Sequence, residues 1–257
     1  MKVYILDTGW LESERSALVT GARPGVTKLP VLAVLIDHPQ GKILFDTGCH
    51  PQAMAGYWPE HLKTTFPFYK EESMSLPAQL ALCHTRPEEI KTVVLSHMHL
   101  DHAGNLALFP NADIYVHKAD FIYGLTCVHQ SSRVEDHGAY IKADLEAPVK
   151  RYHLVEEDFV LAYGVDIITL PGHTPGVLGM VLHLEQDGTL ILPQDAVYTK
   201  DNYGPPAKGS SIMYDEAAYF DSIEKVRALA KRYQARVIFA HDKDDFQTLR
   251  HAPCFYQ

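Results

Sequence analysis

The sequence has few cysteines, and its start lacks a long apolar run. Its 257 residues include four cysteines, which are widely spaced and form no C-x-x-C pair. We do not expect a disulfide framework in a chain long enough to build a large core. The apolar stretch at the start stops at Asp7, which is too short for a secretory signal or a membrane span. We therefore predict a cytoplasmic protein with no membrane partner.

Positive charge is also scarce. Lysine and arginine total 23 against 32 acidic residues, so the formal net charge is -9. A surface that follows phosphates would need the opposite sign, and we predict no nucleic-acid partner. The 46% hydrophobic and 21% charged fractions are typical of a globular protein. A chain of this length often forms one α/β unit, and we predict a single domain over residues 1–257.

Histidine is abundant, with 15 copies. The motif H-x-H-x-D-H, formed by His97, His99, Asp101 and His102, follows the apolar residues 93–95, which we predict to be a buried strand. On an extended backbone the first three side chains would point the same way, and His102 could face a second point at the start of a predicted helix. No cysteine is near, which disfavours a structural zinc site. The spacing suits two metal ions better than one.

Further ligand-type residues follow other predicted strands. Residues 29–37 and 42–46 form a predicted hairpin, and three later strands end close to His173, Asp195 and His241. Strand-rich halves that each end in such residues, with an amphipathic helix over 215–233, predict an α+β protein. We expect two mixed sheets packed face to face with helices outside, which is a four-layer αββα sandwich.

Three segments allow more than one interpretation. We predict that residues 10–28 are irregular, because glycine and proline interrupt them. Residues 49–72 form a predicted aromatic-rich loop that could line a substrate pocket, provide a homodimer contact or only cover the core. Asp46 ends a strand, where it could orient a metal-bound histidine or only cap the turn.

Taken together, the motifs make this sequence similar to the metallo-β-lactamase superfamily, and within it to the N-acyl homoserine lactone lactonases of the quorum-quenching type. The resemblance covers nearly the whole chain. The segments that carry it are residues 29–31, 43–48, 96–104, 169–176, 195–200 and 239–242. The D-x-x-Y-T-K segment, which begins at Asp195 and includes Tyr198, discriminates best within the superfamily.

The resemblance implies a dinuclear hydrolase. The ligands it implies are His97, His99 and His173 for the first ion, Asp101, His102 and His241 for the second, and Asp195 as a bridge. We expect two divalent ions per chain, Zn²⁺ first, although His/Asp sites also accept Co, Mn or Fe. A bound zinc ion lowers the pKa of water to roughly 7, so no serine or cysteine nucleophile is needed. This agrees with the absence of a G-x-S-x-G motif.

The implied reaction opens the lactone ring of an N-acyl homoserine lactone by attack of a metal-bridging hydroxide. Tyr198 would donate a hydrogen bond to the developing oxyanion, and Asp101 would pass a proton to the leaving alkoxide. The alternative for Tyr198 is a packed core tyrosine with a satisfied hydroxyl. Candidates to line the groove for the acyl chain are Trp10, Leu11 and residues 57–69.

Several rival functions share this ligand pattern. A lactonase for γ-butyrolactone or a pyridoxolactone would use the same site with another pocket. A glyoxalase II-like thioesterase would need a C-terminal helical domain, and only 16 residues follow His241. Zinc β-lactamases lack the histidine at position 102 and usually have cysteine at position 195. A non-catalytic metal-binding or sensing module is the alternative outside the enzymes.

Overall fold

Two β-sheets pack face to face in the computed structural model, which describes residues 1–257. The strands are β1 (Lys2–Glu14), β2 (Val26–His38), β3 (Gly41–Phe45), β4 (Phe68–Tyr69), β5 (Thr92–Val94), β6 (Asp113–His117), β7 (Arg151–Val155), β8 (Phe159–Ala162), β9 (Val165–Thr169), β10 (Leu178–Leu184), β11 (Gly188–Leu192) and β12 (Arg236–Val237). One sheet has the order β4-β1-β2-β3-β5-β6-β7, and the other has the order β12-β11-β10-β9-β8. Both sheets are mixed, because parallel pairs such as β3–β5 and β11–β12 accompany antiparallel ones.

The helices lie between and after the strands. They are α1 (Arg15–Leu18), α2 (Glu60–Thr65), α3 (Leu76–Leu82), α4 (Lys118–Gln130), α5 (Lys142–Leu145), α6 (Lys200–Tyr203), α7 (Glu216–Tyr233) and α8 (Lys243–Phe246). None of them combines the length and the apolar character needed to cross a lipid bilayer.

Alternation along the strands builds two of the core layers. In β1, Val3 and Ile5 point into the core between the two sheets, whereas Tyr4 and Leu6 point into the core on the other face. This is the two-residue period of a strand buried on both faces. Helices α3 and α4 cover the outer face of the seven-stranded sheet, for example through Leu80 of α3.

Helix α7 covers the outer face of the five-stranded sheet. Its residues Tyr219, Ile223 and Val226 pack with Ile168 of β9 and Val181 of β10. These side chains recur at three- and four-residue spacing, as expected for one buried helix face. The order helix, sheet, sheet, helix confirms the predicted four-layer sandwich.

The prediction that residues 10–28 are irregular is wrong for most of that segment. Strand β1 continues to Glu14, which pairs with Val26 of β2. The register shifts between Asp7 and Trp10, at Gly9, whose φ of 115° lies in the left-handed region that favours glycine. Beyond this bulge, the hydrogen-bonded pairing of β1 with β2 resumes at Trp10. The local sequence pattern predicts that the strand ends before this point.

The segment 49–72 is more ordered than the predicted loop. It contains α2 and the short strand β4, which pairs with β1 through Tyr69 opposite Trp10 and Phe68 opposite Leu11. Trp58 of this segment is 2% exposed. These residues therefore add a strand to the seven-stranded sheet and fill a third core cluster beside it.

No α-helix follows Asp101, contrary to the prediction. The chain turns there and forms only a 3₁₀ turn at Leu106–Leu108. Gly104 lies so close to the preceding loop that a Cβ atom would come within 2.2 Å of the His50 nitrogen. The close approach of two loops therefore determines this turn. The periodicity of the sequence cannot predict such a contact.

Candidate metal centre

All seven predicted ligands meet at one edge of the sandwich. They follow β5, β9, β11 and β12, of which the last three run in the same direction and end at the same edge. Each of the seven is buried, with no more than 9% of its surface exposed. The residues are His97, His99, Asp101, His102, His173, Asp195 and His241.

Three histidine nitrogens converge in the first group. Nε2 of His173 lies 3.2 Å from Nε2 of His97 and 3.0 Å from Nδ1 of His99. Burial lowers the pKa of His97 and His99 well below the usual value. Neutral imidazoles therefore direct lone pairs at a common point, which is the arrangement that a metal cation requires.

The second group contains a carboxylate and two histidines. Oδ2 of Asp101 lies 3.6 Å from Nε2 of His102 and 3.6 Å from Nε2 of His241. Nε2 of His102 is buried and makes no well-aligned hydrogen bond. A buried nitrogen without a partner is costly unless another group, such as a cation, satisfies it.

Asp195 lies between the two groups and contacts both. Its Oδ1 is 3.0 Å from Nε2 of His241 and 3.2 Å from Nε2 of His102. Its Oδ2 is 3.4 Å from Nε2 of His173 and 3.8 Å from Nε2 of His97. Burial opposes ionisation, but His241 and His102 lower the pKa of Asp195 well below its usual range. An ionised carboxylate with one oxygen toward each group suits a bridging ligand.

The outward-facing histidine nitrogens are held by acceptors. Nδ1 of His173 lies 2.9 Å from the Ile212 carbonyl oxygen, and Nδ1 of His241 lies 2.9 Å from the Pro30 carbonyl oxygen. A proton on Nδ1 leaves the Nε2 lone pair free to face the centre. Only the folded chain brings these two carbonyl groups to the histidines.

Asp46 performs the same task for His102. Its Oδ2 lies 2.8 Å from Nδ1 of His102 and also accepts hydrogen bonds from Ser96 Oγ, at 2.9 Å, and from the Gln194 side chain. Its Oδ1 accepts from the Ser96 amide at 2.6 Å. This geometry favours the interpretation that Asp46 orients a histidine. Sequence reasoning missed Ser96 and Gln194, and their only signal was adjacency to His97 and Asp195.

Tyr198 reaches the centre from beside His173. Its hydroxyl oxygen lies 2.7 Å from Nδ1 of His173 and 3.5 Å from the Ile212 carbonyl oxygen. Burial and the nearby Asp195 carboxylate raise the pKa of Tyr198 well above its usual value, so the phenol stays protonated. The side chain therefore presents a neutral O–H group at the wall of the site.

An apolar pocket opens above the two groups. Its floor contains His99, Asp101, His173, Asp195, Tyr198 and His241, and its remaining walls are Leu11, Leu18, Leu29, Phe66, Leu100, Ala139 and Ile212. Leu11 and Phe66, two of the candidates for the acyl groove, line this pocket. Trp10 does not, because it lines a separate surface hollow with Tyr69.

A known protein family matches the part of the chain that contains this centre. The family model described as the metallo-beta-lactamase superfamily matches residues 26–241. The chain belongs to this superfamily. The matched range begins at the first residue of β2 and ends at the last of the seven clustered residues, so it spans the whole set.

Relatives of known name narrow the family. The chain is 33% identical to the N-acyl homoserine lactonase AiiB of Rhizobium rhizogenes, with 96% of each chain covered. It is 29% identical to the N-acyl homoserine lactonase AttM of Azorhizobium caulinodans, which covers 100% of this chain and 98% of the relative. The resemblance stated from the motifs is thereby confirmed.

A solved structure has the same fold. A Bacillus thuringiensis AiiA variant with N-decanoyl-L-homoserine bound at its active site superposes with a TM-score of 0.86 at 25% identity, covering 99% of this chain and 98% of its own. An N-acyl homoserine lactone hydrolase with N-hexanoyl-L-homoserine at its catalytic metal centre gives the same TM-score, identity and coverage.

The side chains of this centre fit the divalent metal ions that the superfamily implies. Three sets of residues each offer ligand atoms that all lie within 4.8 Å of one another. The sets are His97/His99/His173, His97/His102/Asp195 and Asp101/His102/His241. Imidazole nitrogens and carboxylate oxygens suit Zn²⁺ and several other first-row metals. The absence of a well-aligned hydrogen bond at Nε2 of His102 also agrees with a cation that completes the set.

Proposed function

We propose that this protein hydrolyses the lactone ring of N-acyl homoserine lactones with two divalent ions, most simply Zn²⁺. The observation that carries the proposal is an apolar pocket whose floor is formed by converging histidines and carboxylates. Metal ions held by the histidines and carboxylates of the floor would suit hydrolysis of an ester bond, and the apolar walls suit an acyl chain. Relatives named N-acyl homoserine lactonase support the same substrate class.

The proposed ligand set divides between the two ions. His97, His99 and His173 would hold the first ion, Asp101, His102 and His241 the second, and Asp195 both. Divalent ions held there supply Lewis acidity and lower the pKa of water into the physiological range. The carbonyl and carboxylate groups behind the histidines keep their nitrogens directed at these positions without further reorganisation.

Ring opening adds one water across the acyl–oxygen bond of the lactone. The carbonyl carbon gains a hydroxyl group, and the ring oxygen leaves as an alkoxide that must gain a proton. Negative charge develops on the carbonyl oxygen, and we assign Tyr198 to donate a hydrogen bond to it. Its phenol lines the pocket and stays protonated, as this role requires.

We assign Asp101 to deliver the proton to the alkoxide. This residue lines the pocket, and its Oδ2 faces His102 and His241. Oδ1 is therefore the oxygen that we expect to carry the proton to the leaving group. The product is the ring-opened N-acyl homoserine.

The apolar walls give the acyl chain a place and exclude water from the reacting ester. Leu18 and Leu29 also line a larger cavity of about 580 Å³ that adjoins the pocket at His241, and the rest of its lining is mostly polar or charged. We expect the amide and ring to lie over the centre and the chain to contact these leucines. An unsubstituted γ-butyrolactone would leave the same walls unoccupied and lose that contact.

The test is a substrate panel on metal-reconstituted protein, read as proton release in weak buffer near neutral pH. The panel contains N-acyl homoserine lactones of short and long chain, γ-butyrolactone, S-lactoylglutathione and a β-lactam. We expect fast release with the acylated lactones and at least tenfold slower release with γ-butyrolactone. The Asp195→Asn variant, prepared identically, controls for contaminating hydrolases.

Other outcomes would overturn the proposal in distinct ways. Release with γ-butyrolactone alone keeps the chemistry but removes the acylated substrate. Release with the thioester alone points to a glyoxalase II-like activity. No release from protein that holds two ions per chain would favour a metal-binding or sensing module.

We also propose a homodimer contact on the segment 49–72. Met54 and Tyr69 of this segment are exposed by 41% and 43%, which is high for large apolar side chains. Sedimentation velocity on the wild type and on Met54→Glu tests the contact. A wild type that is monomeric at micromolar concentration would contradict it.

A further inference from the structure

A second buried carboxylate besides Asp46 contacts residues next to the metal centre. Asp120 is at the beginning of α4 and is 0% exposed. Its Oδ2 accepts a hydrogen bond from the Met98 amide at 2.8 Å, and its Oδ1 accepts one from the Tyr140 hydroxyl at 2.6 Å. We propose that Asp120 is a positioning residue for the group His97, His99 and His173, an inference that rests on the proposed metal dependence.

The Met98 amide connects Asp120 to two of the histidines. Met98 lies between His97 and His99, so its N–H group belongs to the short backbone segment that sets the direction of both side chains. This segment lies outside the β-sheets and follows the end of β5. A charged acceptor on the Met98 amide therefore fixes a stretch that the sheet ladder does not hold.

The Tyr140 hydroxyl connects Asp120 to the ring of His99. The Tyr140 and His99 rings meet edge to face, with 4.7 Å between centroids and 68° between planes. The two residues also form an isolated antiparallel bridge through their backbones. Asp120 thus fixes the tyrosine ring that packs against the His99 ring.

The third histidine is reached through Thr174. The Thr174 side chain is within hydrogen-bonding reach of the Asp120 carboxylate, and it directly follows His173. One carboxylate therefore contacts the neighbours of all three histidines in the first group. The second group has no such contact with Asp120, because its members are held by Asp46 and the Pro30 carbonyl oxygen.

Energetics argue against a purely structural role. The Met98 amide and the Tyr140 hydroxyl, which donate to Asp120, are neutral groups. A buried carboxylate without a cation partner is costly, and an apolar side chain at this position would avoid that cost. A carboxylate can, however, accept hydrogen bonds at both of its oxygens, whereas an amide accepts at one end only.

The variant Asp120→Asn tests the proposal. Its amide can keep an oxygen toward only one side and must present an NH₂ group to a donor on the other. We expect the affinity for one of two Zn²⁺ ions to fall about 10- to 100-fold and that for the other to stay within twofold. Zn²⁺ is titrated into chelator-treated protein by calorimetry with a competing chelator, and Co²⁺ absorption reports the geometry of each step.

Asp144→Asn is the matched control. Asp144 is 2% exposed and accepts a tyrosine hydroxyl, from Tyr57 at 2.5 Å, but it contacts none of the seven residues of the centre. It should leave both Zn²⁺ affinities unchanged. His99→Ala supplies the reference pattern for selective loss of the first ion. Urea unfolding of each variant establishes that it is folded before titration.

Two results would overturn the proposal. The first is an Asp120→Asn protein that binds every ion with wild-type affinity. The second is equal weakening of all ions in Asp120→Asn and Asp144→Asn, which indicates general destabilisation. If Asp120→Asn does not fold, Tyr140→Phe removes one donor and keeps the ring. This variant should weaken the same ion as His99→Ala by a smaller factor, and unchanged affinity there would also reject the proposal.

A negative result here is distinct from failure of the proposed function. The titration contains only protein and metal, so its outcome does not depend on which substrate is hydrolysed. If Asp120→Asn loses one ion but the wild type opens no lactone, the positioning role stands and the substrate assignment fails.

Discussion

Replacing Tyr198 with phenylalanine separates two roles for its hydroxyl. Nδ1 of His173 lies 2.9 Å from the Ile212 carbonyl oxygen and 2.7 Å from the Tyr198 oxygen. If Nε2 binds a metal ion, Nδ1 carries the proton and cannot accept one from tyrosine. The phenol proton then has near it only the Ile212 carbonyl oxygen, at 3.5 Å, which is too long for a good hydrogen bond, and the Ser210 hydroxyl, which already accepts from the Ile212 amide. It is therefore available to a substrate oxygen.

The expected magnitude follows from that assignment. Removal of one donor to a developing oxyanion costs ~10²–10³ in kcat, or about 3–4 kcal/mol of barrier. Because the Ile212 carbonyl oxygen also accepts from Nδ1 of His173 and remains in the variant, we expect Tyr198→Phe to keep both ions and to change KM little. A role in holding His173 would instead weaken metal binding by ~10- to 100-fold and leave turnover per loaded centre unchanged.

The assay combines metal analysis of dialysed protein with proton-release kinetics over a range of acylated lactone concentrations. The control is Tyr256→Phe, which removes a buried tyrosine hydroxyl that accepts from the Arg250 amide, in the core between the two sheets. Wild-type kcat in Tyr198→Phe with full metal content would refute the donor role. Loss of metal with normal turnover per loaded centre would show instead that Tyr198 supports His173.

Three further predictions concern buried carboxylates. Asp195→Asn should lose both ions and lactone hydrolysis together, as measured by metal content and proton release, because this residue alone faces both groups; retention of two ions would contradict the bridge. Asp46→Asn should lower the free energy of unfolding by ~3 kcal/mol and weaken metal binding at His102, because an amide cannot accept from all four donors. Urea unfolding with and without Zn²⁺ measures both effects. If Zn²⁺ raised the free energy of unfolding of the variant as much as that of the wild type, Asp46 would only cap the turn. Burial raises the pKa of Asp144 to about 7, above the value of about 4 in an unfolded chain, so the native state binds more protons between those values and loses stability as the pH rises through them. Asp144→Asn should remove this slope, which amounts to about 3 kcal/mol when urea unfolding at pH 5 and pH 8 is compared, and an identical slope in both proteins would contradict the shift.

The layered architecture could be predicted from the sequence because its signals are local. The two-residue alternation of β1 and the helical spacing of α7 each report which faces are buried, without knowledge of the rest of the chain. The errors arose where a distant contact overrides the local pattern. The ladder of β1 resumes after a bulge because β2 continues to pair with it, and the turn after Asp101 follows from the approach of Gly104 to His50.

The sequence by itself determined the candidate ligands. Each lies within a few residues of the end of a strand, and strand direction brings the ends of β9, β11 and β12 to one edge. Tertiary structure alone decided which groups support them. Asp46 contacts Gln194 across 148 positions, and Asp120 contacts Met98 across 22. Such contacts depend on how sheets and loops pack in three dimensions, and no periodicity or spacing along the chain encodes them.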